Sequence, residues 1–86
     1  MNINQLIEIV EKKILSQDCI LKVYIEDKSF LHKNHKSNES GKFHILLSIV
    51  SPELKKKNKL YSTRFIYNIL DDELKNYIHS LQIKLI

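Results

Sequence analysis

A single cysteine, Cys19, leaves no partner for an intramolecular disulfide, so neither a secreted disulfide scaffold nor a zinc ribbon fits this chain. With one glycine, Gly41, it cannot form the Gly-x-x-Gly loop by which KH-type RNA binders clamp a nucleic-acid backbone, nor a glycine-rich phosphate cradle. Tryptophan and alanine are absent and aromatics make up 8% of the residues, which points to thin layers of branched aliphatic side chains rather than a deep aromatic pocket. No apolar run approaches the length needed to cross a bilayer. Periodic helical sequence begins almost at Met1, which leaves no room ahead of it for a presequence, and the reading is a soluble cytoplasmic protein. Eighty-six residues provide one domain whose core buries roughly 60% of the unfolded surface. A large-pocket enzyme is excluded on that ground.

Basic residues outnumber acidic ones, for a net charge of +4, but thirteen of the fourteen are lysines and Arg64 alone is arginine. Arginine is the side chain that forks onto guanine and phosphate, so the basic balance is a weak nucleic-acid signal. The lysine, asparagine and isoleucine excess is also what an AT-rich coding sequence gives. Cys19, at the edge of an apolar run, reads as a small packed side chain rather than a reactive thiol.

Apolar residues Ile3, Leu6, Ile7, Val10 and Ile14 recur at helical spacing, and Asn2 with Gln5 three positions on makes a capping box. From Ile20 to Glu26, Leu21, Val23 and Ile25 alternate with Lys22, Tyr24 and Glu26, the pattern of a half-buried strand. Phe43 to Val50 is apolar on both faces except at His44 and Ser48, and so predicts a more central strand. Ser51-Pro52-Glu53 starts a short helical turn with proline at its first position. Leu60, Phe65, Ile66, Ile69 and Leu70 have helical spacing, and Asp71-Asp72-Glu73 offers a cap and first-turn acids for a further helix carrying Leu74, Tyr77 and Ile78. Ser80 to Ile86 alternates again. A connection of about thirty residues lets this last strand return parallel to the second through a right-handed crossover. The expected architecture is α+β in the order α-β-β-α-α-β, a single domain over residues 1–86 with a three-stranded mixed sheet and helices on one face.

Between the first two strands, Asp27 to Lys42 has almost no apolar content, and in and just beyond it three of the four histidines, His32, His35 and His44, fall within thirteen positions. Imidazoles so clustered are candidate metal ligands, and equally are the ordinary surface residues of a polar loop. His79 is placed at the end of the last helix, where a ring bonds a terminal carbonyl. His44 either turns toward the loop or rests on the sheet. Lys55, Lys56, Lys57 and Lys59 form a basic run that is a solvated surface, a dock for an acidic partner, or a weak salt-sensitive nucleic-acid contact. Tyr61 and Tyr67 read as amphipathic packing residues, and nothing resembles a nucleophile set with its base and orienting group. The protein is expected not to be an enzyme.

Several separated motifs carry a family resemblance: Asp27-Lys28-Ser29-Phe30-Leu31-His32-Lys33-Asn34-His35, then His44, Ile49-Val50-Ser51, Arg64-Phe65-Ile66-Tyr67, Asp72-Glu73-Leu74 and Ile78-His79-Ser80-Leu81. Together they closely resemble the signature of the BolA-like proteins over nearly the whole chain. The resemblance implies a class II KH-like fold and a monothiol glutaredoxin partner, with which a [2Fe-2S] cluster is shared, glutathione included, while no cofactor is expected on the isolated monomer. It implies a loop ligand at His32, with His35 close by, and a second ligand just before Arg64. That position holds Thr63, whose neutral hydroxyl is a poor replacement for imidazole on iron. The family's paired helices have also been compared to a helix-turn-helix, which makes Lys55, Lys56, Lys57, Lys59, Thr63 and Arg64 candidate contacts for a partner or nucleic acid. As a recognition element that region is compromised by acids at the N-terminus of the following helix. The long histidine-bearing loop resembles organellar members, so mitochondria are the alternative compartment.

Overall fold

The computed structural model describes residues 2–28 and 42–86. The first helix, α1 (Ile3–Leu15), starts at the expected capping box: Asn2 Oδ1 accepts from the Gln5 amide at 2.8 Å and Gln5 Oε1 accepts from the Asn2 amide at 3.1 Å. Its inward stripe, Leu6, Val10 and Ile14, is wholly buried. Then follow β1 (Lys22–Asp27), β2 (Phe43–Val50), the one-turn helix α2 (Pro52–Lys56), α3 (Lys59–Ile69), α4 (Asp71–Asn76) and β3 (Ile78–Leu85). The sheet order is β1-β2-β3, antiparallel between the first pair and parallel between the second. The strand that is apolar on both faces is therefore the central one, and the crossover carries α2, α3 and α4.

Alternation along β2 sends Ile45, Leu47 and Ile49 to the face that meets α1, Leu54 of α2 and Ile66 and Leu70 of the α3–α4 corner, all in one buried cluster. The opposite face carries Lys22, Tyr24, Gln82 and Lys84, all exposed, so the helices occupy one side of the sheet. Such a layering gives α+β with a single core. Among the described residues no helix is long and apolar enough to cross a membrane.

Two buried serines hold α2, which at five residues is too short to stand alone. Ser51 Oγ accepts from the Leu54 amide at 3.2 Å and donates to the Cys19 carbonyl at 2.6 Å. Ser62 Oγ donates to the Leu54 carbonyl at 2.7 Å from the first turn of α3. Cys19 is half-buried against the core, as its packing role requires.

Four local expectations change. Leu21 precedes β1 and is 63% exposed, its place in the core being taken by Ile20. Leu60 is 59% exposed, because the inward stripe of α3 runs through Ser62 and Ile66, and two residues back from Ser62 is roughly 200° round the helix. The acids of α4 do not cap it by a side-chain hydrogen bond; Leu70 occupies the cap position, Asp71 pairs with Lys75 at 2.9 Å, and Glu73 turns back to α1. Finally, β3 begins at Ile78 rather than Ser80. The Tyr77 carbonyl already accepts from the Phe43 amide, so strand pairing starts as soon as α4 ends.

Candidate functional site

The start of β3 brings two histidines together at one end of the sheet. Phe43 pairs with Ile78 and His44 with Ser80, so one residue, His79, is extra on the β3 side. A bulge of this kind re-aims the inserted side chain. The His79 ring stands edge-on to that of His44, with centroids 4.9 Å apart and planes at 78°. His79 Nδ1 lies 3.4 Å from His44 Nε2, and His44 Nδ1 lies 2.6 Å from Ser80 Oγ. His44 is 4% exposed, while His79 and Ser80 are exposed. His44 thus rests on the sheet, and His79 is a strand residue rather than the helix-end carbonyl partner expected of it.

Residues 29–41, with His32 and His35, lie outside the described residues, but both of the segment's anchors are at this same end. The Lys28 amide donates to the His44 carbonyl at 2.7 Å, and Lys42 directly precedes β2. The Lys28 ammonium sits 2.8 Å from a Glu26 carboxylate oxygen; this hydrogen bond, with the attraction between the charges, holds the Glu26 carboxyl below its ordinary 4.5. Among the described residues no group of three or more histidine, cysteine or acidic side chains could enclose a metal ion. The described part offers an exposed imidazole backed by a buried one.

The candidate contacts on α2 and α3 divide among separate surfaces. Lys55, Lys57, Lys59 and Thr63 line a groove of about 240 Å³ against Ile83 and Leu85 of β3. Arg64 faces a second depression of about 420 Å³ with Leu60, Tyr61 and Phe65. Lys56 borders a third, beside Cys19 and Glu53. Tyr61 and Tyr67 lie at the surface, 49% and 39% exposed, each with a side-chain contact to its surroundings. Tyr61 stacks on Phe65 at 6.4 Å beneath the Lys57 ammonium, 5.5 Å from its ring, and the Tyr67 hydroxyl donates to the Leu81 carbonyl at 3.2 Å. Thr63 borders both Leu81 and Ile83, two and four residues along β3 from His79, separations of about 7 and 13 Å along the strand. The histidine pair and the lysine groove are thus at different ends of β3.

Sequence reading missed the His44, His79 and Ser80 constellation because it ended α4 too late. Strict alternation back from Leu81 would turn His79 inward and Ile78 outward; the bulge reverses this, burying Ile78 and exposing His79, and no local sequence signal marks it.

Comparison with known proteins agrees with this architecture. The family model described as BolA-like protein matches residues 17–86. The chain is 34% identical over 79 residues to SufE-like protein 1, chloroplastic/mitochondrial, of Arabidopsis thaliana; the match covers 86% of this chain and 21% of that protein, so the chain spans about a fifth of that relative's length. It is 33% identical over 78 residues to the DNA-binding transcriptional regulator BolA of Haemophilus influenzae, covering 91% of this chain and 73% of the relative. Among solved structures, the BolA domain of SufE1 from Arabidopsis thaliana superposes with a TM-score of 0.76 at 27% identity, over 99% of this chain and 92% of that one. BolA1 from the same plant gives 0.66 at 24% identity, over 99% and 89%, and shares the fold. With the sheet order, the crossover and the matched span in agreement, the chain belongs to the BolA-like protein family.

Proposed function

We propose that this protein is a non-enzymatic adaptor in iron-sulfur cluster assembly and trafficking, which binds a monothiol glutaredoxin and shares a [2Fe-2S] cluster with it. The observation that carries the reading is the exposed His79 imidazole, held from behind by buried His44 at the sheet end to which residues 29–41 are anchored. Imidazole replaces thiolate on one iron of certain two-iron clusters, so a chain without a suitable cysteine can still supply ligands. His44 engages Ser80 and His79 through its two ring nitrogens, which suits it to support rather than to ligation. His79 Nε2 makes no hydrogen bond to a described residue and is the nitrogen this chain would present. His32, with His35 beside it in sequence, is the second donor, and thiolates of glutaredoxin and glutathione complete the set. Thr63 has no part in ligation on this reading, since it is a hydroxyl standing with the lysine groove.

Mixing the protein with cluster-loaded glutaredoxin is expected to change the visible circular dichroism. His79→Ala and His32→Ala each diminish that change, and Thr63→Ala leaves it intact. An unchanged spectrum for the native chain rejects cluster sharing, and calorimetry with apo-glutaredoxin then decides whether docking survives.

A second reading, nucleic-acid binding, is favoured by one relative's description as a DNA-binding transcriptional regulator and by Lys55, Lys57 and Lys59 on one groove. Three phosphate contacts give a salt slope of about −2.7 in log affinity against log salt. Absence of duplex binding at low salt removes this reading.

A further inference from the structure

The outer edge of β3 runs beside α3, and the space between them is a groove. Among the described residues β3 pairs with β2 alone, so one flank of the strand has no strand partner. Just past the strand, the Ile86 amide donates to the Ile49 carbonyl at 2.9 Å. Successive residues of a strand turn their amide and carbonyl to opposite flanks, so Lys84 and Gln82 bond to β2 while Leu81, Ile83 and Leu85 address the open edge. The Tyr67 hydroxyl agrees with this sense, since the carbonyl it reaches from α3 is that of Leu81. The side chains of the same three residues pack toward the helices and floor the groove. Its space of about 240 Å³ beside Ile83 and Leu85 continues into about 280 Å³ beside Leu81, the two stretches sharing Lys59, Thr63 and Ile83. Lys55, Lys57 and Lys59 form the rim, and among the described residues no acidic side chain lines either stretch.

We propose that this groove takes an extended acidic segment of a partner protein, which adds to the open edge of β3 as a further strand. Its backbone pairs with Ile83 and Leu85, its aliphatic side chains lie on the floor, and its carboxylates meet the lysines of the rim. Strand addition of this kind draws affinity from main-chain hydrogen bonds and specificity from the side chains on either side. Three observations choose the occupant. Edge amides and an aliphatic floor offer little to a phosphate backbone, and the chain's single arginine, the better fork for phosphate, faces a different depression. A second copy entering through its own β3 edge would bring one lysine rim against another, and like charges so placed oppose association. A helical segment would leave the edge groups unpaired, because its own backbone bonds are internal. Pairing at Ile83 and Leu85 does not involve His79, so the site is independent of cluster ligation.

The test is amide hydrogen exchange by NMR on the isotope-labelled full chain, with a short acetylated peptide of alternating valine and glutamate as the probe. Without peptide, the Ile83 and Leu85 amides are expected to exchange fast and those of Gln82 and Lys84 to be protected; equal protection of all four overturns the open edge. The peptide is expected to slow exchange at Ile83 and Leu85. Methylating the peptide nitrogens that face β3 keeps its charge and removes its donors, and should weaken binding by about tenfold. Lys59→Glu should weaken the unmodified peptide by about fivefold or more, and because glutamate is favourable in the first turn of a helix, this variant of α3 folds. Absence of binding at about 1 mM peptide, or equal binding of the methylated form, overturns strand addition. A valine-lysine peptide that binds as tightly overturns the role of the lysines. Tighter binding of an oligothymidylate to the lysine rim at the same salt gives the groove to nucleic acid instead, and protection of Ile83 and Leu85 that rises with protein concentration alone gives it to a second copy; either result overturns the proposal.

Discussion

Replacing Lys13 by methionine should cost more stability than replacing its partner, Glu73, by glutamine. Lys13 of α1 and Glu73 of α4 are separated by sixty residues, and the ammonium lies 2.9 Å from each carboxylate oxygen. The two side chains differ in their access to water, at 38% exposed for Lys13 and 7% for Glu73. Once Lys13 is gone, the carboxylate remains in a dry site without its cation. Once Glu73 is neutral, the ammonium turns outward and is hydrated. Breaking a fully buried pair costs about 3–5 kcal/mol and an exposed one about 0–1. With one end dry and the other wet, Lys13→Met falls between, at about 2–3 kcal/mol, and Glu73→Gln at about 1 kcal/mol. Methionine keeps the aliphatic stem and the helix propensity, so the difference isolates the charge. Urea unfolding should show a lower midpoint at unchanged slope for both variants, and a melting temperature lower by about 10–20 °C for Lys13→Met. A cost below about 0.5 kcal/mol for Lys13→Met, or the reverse order of the two variants, would refute the reasoning.

The same pair sets an alkaline limit on stability. The hydrogen bond that Lys13 donates to Glu73 raises the ammonium above its ordinary 10.5, so its contribution is complete below that value and is lost as pH rises through the higher folded-state value; the native chain should lose stability there, and Lys13→Met should not lose this part. Ser51→Ala removes both hydrogen bonds of a fully buried hydroxyl and leaves the Leu54 amide and Cys19 carbonyl without it, for an expected loss of about 2 kcal/mol in urea unfolding; a loss under about 0.5 kcal/mol contradicts the clamp on α2. Lys28→Ala should return the Glu26 carboxyl upward toward 4.5, followed by side-chain carboxyl NMR, and a Glu26 titration that does not move excludes Lys28 as the cause.

Much of the fold was legible because local chemistry and hydrophobic period agreed. Asn2 with Gln5 marked the start of α1, the unbroken apolar run from Phe43 to Val50 marked the central strand, and Ser51-Pro52 marked α2. The spacing of β2 and β3 left room for a parallel return, and the sheet makes one. Illegible features depend on distant partners. Glu73 looked like a cap until Lys13, far away in sequence, claimed it, and Ser62 gave no sign that its hydroxyl reaches the Leu54 carbonyl. Leu60 looked like core because its type is apolar, whereas the helix phase set by Ser62 and Ile66 turns it outward. At the candidate site the family motif Ile78-His79-Ser80-Leu81 was visible, but its function as a bulged strand facing His44 depends on register, which composition does not encode.

The most direct measurement is an NMR titration of the isotope-labelled protein, first with apo and then with cluster-loaded monothiol glutaredoxin. Amide shifts with both forms, together with selective broadening of the His79 ring signals with the loaded form, are the predicted result. Shifts with both forms but unperturbed His79 signals would contradict ligation and reduce the protein to a docking adaptor, and no shifts with either form would contradict the adaptor account altogether.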